Sequence, residues 1–304
     1  MLNFLQSLPS PIAQGIIWGI MAIGVYITYK ILDLADLTVD GTLGTGGAVL
    51  VVLTTVHGMN IYLALLIAFV AGCLAGLVTG ILHTKFGIPA ILSGILVQLA
   101  LYSVNLRIMS GRANTTISWR NYDLIVSSNM QQIWHTILVG VIFVVVIIAV
   151  LYWFFDTELG HSIRATGSNQ AMAKANGINT DTRKIIGLVI SNGLVAISGA
   201  LLSQFSGSAD INMGRGAIVI GLAAVIIGEV IFSKIFKNFA LKLLSAVLGS
   251  VIYYIVISIV LKFGLDANDL KLFSAIVVAL FLAVPYWKSK VAPKKVKGEV
   301  KNDA

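Results

Sequence analysis

Nine apolar stretches take up most of this chain: 11–29, 41–56, 60–82, 88–106, 134–155, 185–206, 216–232, 243–261 and 272–287. A helix of about 20 residues crosses the roughly 30 Å hydrocarbon core of a bilayer. In that core every backbone polar group must be satisfied internally, so helices or closed barrels are the available folds. Runs this long without strict alternation read as helices. The expected fold is therefore all-α, a polytopic transmembrane bundle of about nine segments over 1–287. A Lys-rich tail, 288–304, follows and is expected to be disordered. With 58% hydrophobic and 11% charged residues, a soluble class is excluded. No polar segment is long enough for a separate ATPase or binding domain. The stretch 41–56 is the weakest of the nine, being short and carrying Gly41, Gly44, Gly46 and Gly47. It reads as a broken or re-entrant segment, tolerated where backbone is buried in protein.

The net charge of +8 needs no nucleic-acid partner, because the cations sit in the connectors and the tail. With 158–184 placed in the cytoplasm, fifteen of the 21 Lys and Arg fall inside and six outside. The positive-inside bias then places the chain in the cell membrane with the N-terminus out and the C-terminus in. The tail's lysines suit attraction to anionic membrane lipid. No basic region or small-residue cleavage site precedes the first apolar run, so a cleaved signal peptide is not expected. Cys73 stands alone, which leaves neither a disulfide nor a Cys-based metal site. Gly72, Gly76 and Gly80, like Gly15 and Gly19, form small-residue ladders that let helix backbones approach, within the chain or across a homodimer. The exterior connector 107–131 carries Arg112, Trp119, Arg120, Tyr122 and Asp123 and reads as a surface helix, with Trp119 and Tyr122 as interfacial anchors.

The longest polar segment between two apolar runs is 158–184. Ser168 or Asn169 can cap a short helix over 170–176, and Gly177 suits the left-handed position after it. Thr180, Asp181 and Thr182 offer caps for the next membrane helix. Ala171 and Ala175 share a face at four-residue spacing. A short stiff helix at a membrane surface is suited to receiving force from a partner.

Three runs here carry a resemblance: Glu158-Leu159-Gly160, then Arg164-Ala165-Thr166-Gly167-x-Asn169, then Met172-Ala173-x-Ala175-x-Gly177-Ile178. They resemble the coupling loop of ABC-transporter permeases of the branched-chain amino acid/ribose superfamily. Two further runs, Leu34-Ala-Asp36-Leu37-Thr38-Val39-Asp40-Gly41 and Gly221-Leu-Ala-Ala-Val-Ile-Ile-Gly228-Glu229, are similar to a subfamily linked to tryptophan and tyrosine uptake. The likeness runs from about residue 15 to 285; the Glu-Ala-Ala triplet of other importers is absent. It implies a type II ABC importer-like fold, with a second permease copy or a related permease completing the pathway. A cytoplasmic ABC ATPase would dock at Ala165, Gly167, Asn169, Gln170, Ala171, Met172, Ala175 and Gly177. An extracytoplasmic solute-binding lipoprotein would deliver an amino acid, aromatic by the subfamily. ATP and Mg belong to the partner, so no cofactor is expected in this chain, which is a permease and not itself an enzyme.

Polar side chains inside apolar runs are costly unless they face the bundle interior or a wet cavity. Asp33, Asp36 and Asp40, spaced i, i+3, i+7, would share one face of a helix. Thr38, Asp40, Thr42, Gln98, Asn105, Asn192 and Glu229 are the candidates for the translocation pathway. Asp40, with Thr38 and Thr42, would line the cavity or hold a broken helix in shape. Plainer alternatives are caps at Asp36 and Thr38, helix-joining amides at Gln98, Asn105, Asn192 and Gln204, and an ion pair or hinge at Glu229. There is no Walker loop, no His-Glu-x-x-His and no Gly-x-Ser-x-Gly, and the four His are scattered. An ion-coupled secondary transporter is the rival; it predicts paired broken helices around an intramembrane site.

Overall fold

The computed structural model describes residues 8–129, 131–262 and, beyond them, 272, 273, 275, 276, 278–280 and 283. The remainder of the ninth apolar stretch and the tail 288–304 lie outside the described residues.

The chain is helical nearly throughout. α1 (Pro9–Tyr26) ends in a π-helical turn, Ile27–Ile31. Then come α2 (Thr38–Thr55), α3 (Ile61–Thr84) and α4 (Ala90–Ile108). After β1 (Asn114–Thr116), α5 (Ile133–Phe155) leads into two short helices, α6 (Glu158–Ser168) and α7 (Gln170–Ala175). α8 (Thr180–Ser206), β2 (Ser208–Asp210), α9 (Ala217–Phe232) and α10 (Phe239–Lys262) complete the described chain.

α8 is the central post. It packs on α1, α2 and α3, while α10 lies against α1 and α9, and α4 lies against α2 and α3. α1 and α2 are buried along almost their whole length. By contrast α5 exposes Val141, Ile142, Val145, Val146 and Val150, and α3 exposes Leu66, Val70, Leu74 and Val78. Apolar rims around a buried centre are what a chain solvated by lipid requires. The glycine ladders serve packing inside this chain. A side chain at Gly72 or Gly76 would run into the carbonyls of Asn192 and Leu188 on α8, and one at Gly15 or Gly19 would meet Val251 and Val247 on α10.

Six helices are long and apolar enough to cross a membrane: Pro9–Ile31, Ile61–Thr84, Ala90–Ile108, Ile133–Phe155, Thr180–Ser206 and Phe239–Lys262. The expected count of nine is thus not reached among the described residues. α2 has 18 residues but falls short in apolar character, diluted by five threonines, four glycines and Asp40, whereas α9 falls short in length. Asn192 is the thirteenth of the 27 residues of α8, hence at its middle, and its side chain meets both Asp36 and Thr42. The first turn of α2 therefore starts half-way up α8 and not at its end. α9 starts at the same height, because its first amides bond to Asp40. Its 16 residues span about 24 Å at 1.5 Å per residue, short of the roughly 30 Å core.

Three local expectations are corrected. α2 is one unbroken helix despite its glycines; Thr42, Thr45 and Thr54 each return their hydroxyl to the carbonyl four residues back, and close packing on α8 offsets the poor helix propensity. The connector 107–131 is no surface helix. It carries β1, paired antiparallel with β2 in the register Asn114↔Asp210, and buries Ile117, Ile125 and Val126, with the Ile125 N–H donating to Gln204 Oε1 at 2.9 Å. Finally, α8 is capped by Asn179, whose side chain accepts from the Thr182 N–H, not by Thr180, Asp181 or Thr182.

Candidate functional site

Two regions of the bundle gather the residues singled out above. The first is at half-height. Asp33 takes a left-handed backbone, φ 55°, which breaks the chain before α2, so Asp33, Asp36 and Asp40 do not share a helix face. Asp36 Oδ1 instead accepts from the Thr38 N–H at 2.9 Å and caps α2. Its other oxygen accepts from Asn192 Nδ2 at 2.7 Å, and Thr42 donates to Asn192 Oδ1 at 2.8 Å. The Thr38 hydroxyl meets that of Thr79 on α3 at 2.7 Å. Thr38, Thr42 and Asn192 are fully buried in this joint between α2, α3 and α8.

Asp40 stands one turn further. Its two oxygens accept from the backbone N–H groups of Gly216 and Ile218, 2.9 Å each, so a carboxylate of α2 caps the N-terminus of α9. Unpaired amides and the positive end of the helix dipole make such a terminus a place for negative charge. Beside it is a cavity of about 280 Å³ lined by Asp40, Gln98, Tyr102, Asn105, Ile211 and Arg215. Asn105 is buried; its Nδ2 donates to the Gly41 carbonyl at 3.4 Å, while its Oδ1 has no protein partner. Gln98 and Asn105 thus share a wall with Asp40, whereas Asn192 lies in the joint. Tyr102 and Arg215 are lining residues that sequence reasoning passed over. Tyr102 stands in the apolar stretch 88–106 but counts there as an aromatic, and only the descent of 211–216 alongside α2 brings Arg215 to the wall.

Glu229 is elsewhere. It lies near the other end of α9, where its carboxylate pairs with Lys30 at 2.6 Å.

The second region is the connector. Thr157 caps α6, accepting from the Gly160 N–H, and Asn169 caps α7, accepting from the Met172 N–H at 3.0 Å. Ser168 closes α6 instead of capping α7. Asn176 is the residue after α7, and Gly177 has φ 78°. Ala173, Ile163 and Thr166 are buried against the bundle, whereas Ala171, Met172, Lys174 and Ala175 face outward. Gly167 is not part of that outward face. A Cβ there would overlap the Ile31 carbonyl at the end of the π-turn, so α6 is clamped on the end of α1. Gly167→Ala should accordingly loosen α6 within this chain, by about 1–3 kcal/mol as overpacking does. Faster amide exchange over α6 and the π-turn than in an Ala171→Ser control checks it; equal protection in the two would show that the clamp yields freely.

The polar joint, the capped half-height helix and the clamped connector form no metal cluster among the described residues. The sequence has known relatives. The chain is 43% identical over 274 residues to the tyrosine transport system permease protein of Clostridioides difficile, covering 90% of each chain. It is 35% identical over 272 residues to an uncharacterised protein of Rickettsia prowazekii, covering 89% of this chain and 94% of the other. With a ribose import permease protein of Escherichia coli it shares 27% over 217 residues, 69% of this chain and 65% of that one. Residues 9–285 match the family described as branched-chain amino acid transport system / permease component, and the chain belongs to that family.

Proposed function

We propose that this chain is the membrane subunit of an ATP-driven importer for an aromatic amino acid, working beside a second permease copy. The carrying observation is the 43% identity with a tyrosine transport permease over nine-tenths of both chains. The half-height cavity is compatible with such a solute. It offers a carboxylate, a guanidinium, a phenol ring and amides in about 280 Å³. Helices that begin at the middle of a bundle, with their N-termini at a polar cavity, are a recurrent way to present a site to solutes in transporters. Thr38, Thr42 and Asn192 belong to this reading as the joint that holds the cavity's floor, and Glu229 as an anchor of the far end of α9.

The ATPase would dock on the outward face Ala171, Met172 and Ala175, with Asn169 and Gln170 beside it. A push on α7 passes through α6 and Gly167 to the π-turn of α1, and from there to the joint. That places the connector on the cytoplasmic side and β1 and β2 outside, where a solute-binding lipoprotein would deliver its load. Ala165 and Gly177 keep the connector compact and are not themselves the docking face.

Ala171→Trp tests this. A bulky ring on an outward face leaves the bundle intact but overfills the docking contact, costing about 1–3 kcal/mol, which is up to about a hundredfold in affinity. Membranes carrying the transport partners should lose ATP-dependent tyrosine uptake and ATPase retention together, at unchanged permease levels. Tyrosine uptake that ignores ATP depletion but collapses with an uncoupler would replace the ATPase by an ion gradient.

A further inference from the structure

A larger cavity than the one at half-height, about 630 Å³, lies elsewhere. It opens at the connector end, between α1, α5, α6 and the start of α10. Four cations line it, Lys30, Arg164, Lys237 and Lys242, against one carboxylate, Asp156. Lys30 is answered by Glu229. Lys237 and Lys242 are exposed and form no ion pair among the described residues. Arg164 is held by rings: its guanidinium lies 4.0 Å over Phe239 and 5.5 Å over Phe155. Its Nε is out of solvent with no hydrogen-bond partner. A stacked guanidinium with an idle donor, two unpaired ammonium groups and the first turn of the 24-residue α10 converge on one hollow.

We propose that this cavity is a binding site for a phosphate group, presented by the headgroup of an anionic phospholipid. The placement argues for the lipid. Tyr152 and Trp153 are 42% and 71% exposed at this end of α5 and mark the level of an interfacial aromatic belt. Beyond them runs the exposed apolar face of α5, Val150, Val146, Ile142, along which acyl chains can lie. Basic pockets between membrane helices at this level suit such headgroups. The tail 288–304, carrying six lysines, has the wrong sign to fill it. Because Gly167 and Ser168 of α6 also line the cavity, an occupant would brace the clamp between connector and α1.

The test uses the full chain in nanodiscs of phosphatidylcholine with a minor fraction of phosphatidylglycerol, released into a native mass spectrometer. The wild type should retain phosphatidylglycerol in preference. In K237Q/K242Q the preference should fall about 25-fold, since each surface cation contributes about a factor of five. K85Q/K174Q, which removes the same charge away from the cavity, should keep it. Equal retention in all three, or an equal fall in both variants, would overturn the site. A parallel arm adds inorganic phosphate: if it displaces the lipid completely and alone raises the thermal midpoint of wild type but not of K237Q/K242Q, the phosphate chemistry stands and the lipid source falls.

Discussion

Asn192→Leu is expected to cost the folded bundle about 3 kcal/mol, at the upper end of what one hydrogen bond to a charged group contributes. Asn192 Nδ2 is the side-chain donor to Asp36 Oδ2, and its Oδ1 receives the Thr42 hydroxyl, all inside a joint without solvent. Leucine fills similar volume but strands the carboxylate. A buried acceptor left unmatched loses more than the bond itself, because its desolvation is no longer compensated. Thr42→Val should cost less, since the Thr42 hydroxyl also reaches the Thr38 carbonyl and its removal leaves no charge exposed to an apolar wall. The measurement is the denaturing-detergent midpoint of the purified permease, with tyrosine uptake alongside. A midpoint unchanged in Asn192→Leu, with uptake lost, would move Asn192 out of the joint and onto the solute's path.

The contrast between Asn169 and Asp40 shows what could be read from residue order. Asn169 accepts from an amide three residues on, so its role is local, and the start of α7 follows from the sequence. The same holds for the long apolar helices, whose length against the bilayer decides them. Asp40 acts on Gly216 and Ile218, about 177 positions away, and no spacing rule reaches that far. Gly167 is a case of the same kind: the atom its missing side chain makes room for is the Ile31 carbonyl, more than a hundred positions away. β1 and β2 are three residues each, too short for alternation to register, and pair across nearly a hundred positions. In α2 the difference is one of energetics. Four glycines argue against a helix in isolation, but small residues are what close packing on α8 demands, and the tertiary contacts prevail. The triad Asp33, Asp36 and Asp40 assumed a helix that a single left-handed residue, Asp33, prevents.

Asp40→Ala is the change expected to strike uptake hardest. The carboxylate gives both of its oxygens to the first amides of α9, at 2.9 Å each. Hydrogen bonds to a charged group contribute about 1.5–3 kcal/mol apiece. Asp40 is only partly buried and borders a cavity, so water can take over part of the role. The low end applies, about 3 kcal/mol for the pair. The loss would fall on a helix end at the middle of the bundle. With its cap gone, the first turn of α9 frays into the cavity, and 211–216, which carries Arg215 to the wall, loses its anchor. Asp40→Asn keeps an acceptor oxygen but not the charge, so it should fall between wild type and alanine. Hydrogen exchange at Gly216–Ile218 should quicken in the order wild type, Asn, Ala, and tyrosine uptake should fall in the same order. The connector lies at the far end of the bundle, so ATPase retention should be unchanged in all three. An alanine variant with protected amides but no uptake would make Asp40 a contact of the solute and not the cap of α9. One with frayed amides and full uptake would show that transport does not need the half-height end of α9 held in place.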